Sequence, residues 1–187
     1  MLPWAHAAFG YLLYSFGSRI RTHRPPSGVP VLALVFGTQF PDLIDKPAAW
    51  TFGVLASGRS FAHSLFTFAL VLGVLWSVFD DVRSRTLVTA FGVGYTSHLV
   101  GDVLGPVLHG NFGKVGFLLW PIFPGPSGHH TSFLQFFLTR RWSPMLALGV
   151  VLTAFTLAVW VWDGMPGVAD VFFGKSPERD EVGYGNR

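Results

Sequence analysis

Six ionisable side chains stand in stretches that are otherwise apolar: His6, Asp42, Asp45, His63, His98 and Asp102. Such groups are costly in an apolar segment and are kept where they bind, carry or react with something. His98 and Asp102 are four residues apart, so on a helix they share a face and offer an imidazole and a carboxylate to one ion. The 187 residues include no cysteine. Disulfides, iron–sulfur clusters and thiolate zinc sites are thereby excluded, and any metal must be held by His, Asp or Glu. Such a nitrogen and oxygen set suits zinc, with manganese as the second choice. The core ligands expected are His63, His98 and Asp102, with His6 and Asp42 completing the set. A carboxylate not used up in binding, Asp42 or Asp45, is the candidate general base. Arg59 is the candidate grip for an anionic substrate, because a guanidinium meets phosphate oxygens two at a time.

Each of these residues also has a purely structural reading. His6 could be an interfacial histidine beside Trp4, Asp42 a cap on the turn after Pro41, and Asp45 half of a surface pair with Lys46. Arg59 could snorkel toward headgroups. Ser60 and Ser64 are close enough to orient His63, or could serve helix packing. A Ser–His–Asp triad lacks the Gly-x-Ser-x-Gly turn that would present its nucleophile. His109, His129 and His130 could add ligands or could be solvated, and His23 lies among arginines as a headgroup contact.

The elements that must position these groups are apolar and helical. Charged residues make up 12% of the chain, about half the usual share near 25%, and half the residues are hydrophobic. That excludes disorder, an ordinary soluble enzyme and a basic nucleic-acid-binding domain. The net charge of +3 reads as loop arginines beside lipid. Residues 60–79 and 142–162 are free of Asp, Glu, Lys and Arg, and a helix crosses the hydrocarbon of a bilayer in about 20 residues. The pattern predicts an all-α, multi-pass transmembrane bundle with five membrane helices at roughly 3–17, 29–44, 61–79, 86–105 and 144–162. The first reads as a span and not as a cleaved leader, having no basic residue before it and no small-residue cleavage site after it.

Pro25 and Pro26 break the first connection, and DDVRSR turns the third helix into the fourth. Residues 47–58 form an apolar stretch too short to span and are expected in the interface. The long connection from Pro106 to Pro144 contains FLLWPIFPGPSGHHTS. Apolar but broken backbone cannot face lipid, so this piece is expected to be re-entrant or packed on the helix ends. The membrane-embedded domain is read as 1–163 and the polar tail as 164–187. Alternating helix directions puts all six ionisable groups at one end of the bundle, opposite Arg19, Arg21, Arg24, Arg83 and Arg85. Lysine and arginine divide eight to five in favour of that opposite face, a mild bias toward placing it in the cytoplasm.

WAHAAFGYLLYSF, GTQFPDLIDKP, SGRSFAHSLFTF, GYTSHLVGDVL and FLLWPIF occur in that order. In this the chain resembles the membrane-bound metal-dependent hydrolase family, formerly a domain of unknown function, which includes the LexA-binding inner-membrane protein. The resemblance covers about residues 4–123. It implies that His6, Asp42, His63, His98 and Asp102 fall on the family's recurrent polar positions and Arg59 on its arginine. Two positions depart from the pattern: Gly58 stands where the family often has His, and PDLIDK replaces PD-x-DH, moving the second acid to Asp45. A looser likeness runs to the zinc-dependent phospholipase C and single-strand nuclease group. Trp4, His6, Asp42 or Asp45, His63, His98, Asp102 and His109 follow that group's order, but its final His and acid pair is missing.

Together these readings predict a membrane-embedded metal-dependent hydrolase of the cell membrane. Activated water would attack a phosphoester, of a lipid or lipid-linked substrate. Its partners would be membrane lipids and the anionic substrate, with no nucleic acid. The alternatives are a non-enzymatic membrane scaffold with a structural metal, and an ion transporter. A transporter should carry polar groups along the whole depth of the bundle, whereas Leu70–Phe79 and Thr86–Thr96 offer only Ser, Thr and Tyr.

Overall fold

The computed structural model describes residues 2–26, 28–126 and 142–173, and the regular structure among them is all helical. The order is α1 (Pro3–Thr22), α2 (Pro30–Trp50), α3 (Leu65–Val78), α4 (Val82–Leu108), a 3-10 helix (Phe112–Leu119), α5 (Pro144–Trp162) and α6 (Val168–Phe173). Proline opens α1, α2 and α5 at the first or second helical position, where its missing N–H has no partner to lose. Ser64, Asp81 and Ser143 cap α3, α4 and α5 by accepting from the N–H of Phe66, Ser84 and Leu146.

The most extensive helix contact is between α2 and α4. A Cβ built on Gly37 would lie 2.2 Å from the Phe91 carbonyl oxygen, and one on Gly94 would lie 2.1 Å from that of Leu34. Only glycine on both helices lets the two backbones touch, which is how small residues work in membrane helix pairs. Tyr11, Val31, Leu34 and Ala90 form one apolar core across α1, α2 and α4, and Phe91, Tyr95 and Leu99 form a second against α3. Helix α5 packs on α1. Its end is tied there by Asp163, which accepts from Tyr11 Oη at 2.6 Å and Ser15 Oγ at 3.1 Å and pairs with Arg19.

Several boundaries differ from expectation for physical reasons. Helix α2 does not stop near residue 44 but runs through Pro41 and Pro47 to Trp50. Packing against α4 holds the turns that the two prolines weaken. His63 does not open α3, which begins at Leu65; residues 51–64 are irregular and fold over the end of the bundle. Residues 168–173 of the expected tail form α6, where Asp170 accepts from Gly28 N–H at 2.9 Å and Gly167 N–H at 2.8 Å.

Among the described residues no helix is long and apolar enough to cross a membrane. This corrects the expectation of five individually spanning segments. Helix α3 has only 14 residues, and α1, α2 and α4 interrupt their apolar runs with Arg19 and Arg21, with Asp42, Asp45 and Lys46, and with Arg83, Arg85 and Asp102.

The glycine contact can be tested directly. Gly94→Ala should lower stability by about 1–3 kcal/mol, the usual cost of overpacking. Gly73→Ala, on α3 where a Cβ meets nothing within 4 Å, should be neutral or stabilising by up to about 1 kcal/mol. Thermal unfolding of both variants in detergent reads the difference, and equal midpoints would remove the α2–α4 contact from its central role.

Candidate metal centre

His98 projects from α4 and is fully buried. Its Nδ1 lies 2.6 Å from the Thr38 carbonyl oxygen of α2. A carbonyl can only accept, so in the neutral ring the proton sits on Nδ1 and the Nε2 lone pair points away from α2. His63 is fixed in the same way, its Nδ1 lying 2.8 Å from Asp45 Oδ2. The two Nε2 atoms face each other at 3.1 Å. Two neutral imidazoles so oriented present lone pair to lone pair, an arrangement that calls for a cation or a proton between them.

Two carboxylates complete the enclosure. Asp42 Oδ1 is 3.5 Å from His63 Nε2 and 3.8 Å from His98 Nε2, and Asp102 Oδ2 stands at the same two distances, 3.5 and 3.8 Å. A tetrahedral zinc site with bonds of about 2.0–2.2 Å separates its ligand atoms by roughly 3.3–3.5 Å. The observed spacings bracket that figure. Asp42, His63 and His98 form one buried group able to hold a metal ion, and His6, His98 and Asp102 form another.

The remaining oxygens face cations. Lys46, one helical turn beyond Asp42, pairs with Asp42 Oδ2 and lies over the Trp50 ring. Arg59 grips Asp102 with both arms of its fork, Nε to Oδ2 at 2.7 Å and Nη2 to Oδ1 at 3.0 Å. Its side chain is still 36% exposed, and a guanidinium has five N–H donors, so donors remain for an anion. His6 stacks on His98 with ring centroids 4.0 Å apart, and its Nε2 is 3.4 Å from Asp102 Oδ1. Its Nδ1 is buried with no hydrogen-bond partner, an orphan of the kind found where a ligand or water belongs.

Asp45 has a different part from the general base expected of it. Its carboxylate accepts from the N–H groups of Ser60 and Ala62 at 2.8 Å each, from that of His63 at 3.3 Å, and from His63 Nδ1. It is a buried organiser of the 60–63 backbone and of the His63 ring. Ser64 Oγ donates to the Trp120 carbonyl at 2.7 Å, and Tyr95 Oη to that of Ala62, so α4 and the 120–123 turn hold the same loop. Phe117 closes over His63, ring centroids 6.0 Å apart. A Cβ on Gly58 would meet the Trp50 indole at 3.1 Å. Position 58 therefore faces Trp50 and not the ligands, and the His often found there in the resembling family has no counterpart here.

The structure thus brings together His6, Asp42, Asp45, Arg59, His63, His98 and Asp102. It leaves His109 apart, where its Nδ1 hydrogen-bonds the Gly105 carbonyl at the exposed end of α4. His129 and His130 lie outside the described residues. Sequence reasoning paired Lys46 with Asp45, although the i, i+4 spacing from Asp42 points to the pair observed. The Thr38 carbonyl and Tyr95 carried no signal, since both act through contacts between distant segments.

The family model described as YdjM inner membrane protein matches residues 1–169. The chain belongs to that family, in agreement with the resemblance its motifs carry. No curated protein and no solved structure matches the chain.

The hydrogen bond behind His63 gives a prediction. If the centre holds a divalent ion, Asp45→Ala removes none of the groups facing it, yet it should weaken that binding by about 10–100-fold, the usual effect of losing an outer-shell partner. His98→Ala should abolish it. Competition with a chromophoric chelator in detergent measures both, and wild-type affinity in Asp45→Ala would mean that His63 does not need its anchor.

Proposed function

We propose that this member of the YdjM inner membrane protein family is a membrane-embedded hydrolase that cleaves a phosphoester with one divalent ion, zinc first and manganese second. The observation that carries the reading is the convergence of the His63 and His98 lone pairs, each fixed by an acceptor behind the ring, on a space walled by Asp42 and Asp102. A ligand set held from behind in this manner is the usual design of metal-binding histidines.

His63, His98, Asp42 and Asp102 would hold the ion, with His6 braced against Asp102 and His98. An ion bound there supplies Lewis acidity and draws the pKa of water toward neutrality. The chain's own groups do the rest. Arg59, already locked to Asp102, has donors left to orient an anionic phosphoryl oxygen. Asp42, the more exposed of the two ligand carboxylates at 8% against 3% for Asp102, is the group placed to accept the water proton. The water oxygen forms the new bond to phosphorus, the ester P–O bond breaks, and the proton passes by way of Asp42 to the departing oxygen. Asp45 keeps His63 in the productive tautomer and takes no proton itself.

Membrane crossing is part of the proposal. All seven tryptophans fall at the two ends of the bundle: Trp4, Trp50, Trp120 and Trp142 on the site side, and Trp76, Trp160 and Trp162 on the other. Tryptophan collects at the two membrane–water boundaries. Trp142 and Trp162 flank α5, whose nineteen residues carry no charge, so that helix presents an uninterrupted uncharged surface between the two belts. Large apolar side chains such as Phe16, Phe36, Leu70, Val74, Leu148 and Phe155 face outward between these belts.

One observation favours a second reading, a non-enzymatic scaffold. Asp42 with Lys46, Asp102 with Arg59 and Asp45 with His63 are already paired, so a proton shared between the two imidazoles would satisfy the cluster without a metal. Metal analysis of purified protein separates the two. The hydrolase reading expects near-stoichiometric zinc or manganese that is lost in His98→Ala and Asp102→Ala. It also expects phosphoester hydrolysis that a chelator stops and zinc or manganese restores. A wild-type protein that binds neither ion after reconstitution belongs to the scaffold reading.

A further inference from the structure

The metal ligands lie beneath a roof made of two irregular segments, residues 51–64 and the 3-10 helix with its following turn. The two are sewn together: Ser64 Oγ donates to the Trp120 carbonyl, Phe61 packs edge-on to Trp120 at 5.8 Å, and a Cβ on Gly125 would meet the Arg59 carbonyl at 2.2 Å. The inner side of this roof is polar and held by Asp45. Its outer side reverses the rule for a water-facing loop, because Phe52, Val54, Phe112, Ile122 and Phe123 are each more than half exposed. An apolar surface of this extent marks a contact with something other than water.

Three observations say what covers it. The exposed Leu65 and Phe66 at the head of α3 join the roof to the outward apolar side of that helix, which continues through Leu70 and Val74. Trp120 packs on Phe61 of the roof and the Trp50 indole lies against Gly58, with Trp4 at the same end of the bundle, and tryptophan collects at the membrane–water boundary. Lys114 on the 3-10 helix and Arg59 beside the ligands place cations among the apolar side chains, the combination that suits anionic headgroups above acyl chains.

We propose that the roof is seated in the boundary between headgroups and acyl chains of the leaflet on the site side, and that the site takes its phosphoester from that leaflet as a lipid. The lipid claim rests on the hydrolase reading above; the seating of the roof does not. A water-soluble ester would have to pass through the lipid to reach a site under such a roof, whereas a lipid phosphate already lies at the depth of Arg59.

The absence of native cysteine allows single-site labelling of the whole chain. Phe52→Cys, Val54→Cys and Phe123→Cys would carry an environment-sensitive fluorophore in nanodiscs of phosphatidylcholine and phosphatidylglycerol, with Leu70→Cys and Arg21→Cys as references. The roof probes should be quenched by a nitroxide lipid labelled near the carbonyl level and shielded from aqueous iodide relative to Arg21→Cys. Roof probes as open to iodide as Arg21→Cys, with Leu70→Cys protected, would overturn the seating while leaving the bundle in the membrane. If Leu70→Cys is also open, the embedded reading falls with it. In discs that also contain phosphatidate, zinc-loaded wild type should then release phosphate from that lipid at least about tenfold faster than from added glycerol phosphate. Equal or faster turnover of the soluble ester would overturn the lipid assignment. Hydrolysis of neither, with the probes protected, would overturn the hydrolase reading and the lipid claim together while the seated roof stands.

Discussion

Gly37 faces Phe91 and Gly94 faces Leu34 where α2 and α4 touch backbone to backbone, and the geometry of the site depends on that contact. A methyl group on either would collide with a carbonyl oxygen of the other helix. The close approach is what lets the Thr38 carbonyl of α2 reach His98 of α4 at 2.6 Å and so decides which nitrogen of that ring carries the proton. One turn on, the same approach brings Asp42 across from His98. A side chain at the glycine contact would push the helices apart by more than the few tenths of an ångström that a coordination site tolerates.

The charges are arranged so that no carboxylate is left alone in the apolar interior. Asp42 has Lys46, Asp102 has Arg59, and Asp45 has three backbone N–H groups and the His63 ring. A buried charge without such partners costs several kcal/mol. With three carboxylates, two cations and neutral imidazoles, one negative charge remains among these groups. A divalent ion or a proton between His63 and His98 would offset it, which is why a metal centre and a protonated hydrogen-bond network are the two states worth separating by experiment.

The two ends of the bundle use their polar residues differently. At the arginine-rich end, Asp163 gathers Tyr11, Ser15 and Arg19 and fixes α5 to α1; the cluster around Asp163 is a joint. At the other end the pairing leaves two facing lone pairs and an orphaned His6 Nδ1. That difference, more than the presence of ionisable groups, marks one end as a site.

The sequence alone determined the all-helical class, the five principal helices and the collection of His6, Asp42, His63, His98 and Asp102 at one end. Each follows from local facts: apolar run length, proline and glycine punctuation, and the alternation of direction that short connections impose. Membership of a membrane family was also legible, because ordered motifs survive in the primary sequence. The role of Asp45, the clamp of Arg59 on Asp102 and the tautomers of His63 and His98 were decided only by tertiary structure, whereas the pairing of Lys46 with Asp42 follows from i, i+4 spacing on one helix. The tertiary contacts join segments from 15 to 60 positions apart, and depend on backbone carbonyls and N–H groups that carry no side-chain signature. Spacing can say which side chains share a helix face; it cannot say which carbonyl of another helix stands behind an imidazole, and that acceptor sets the chemistry the ring presents.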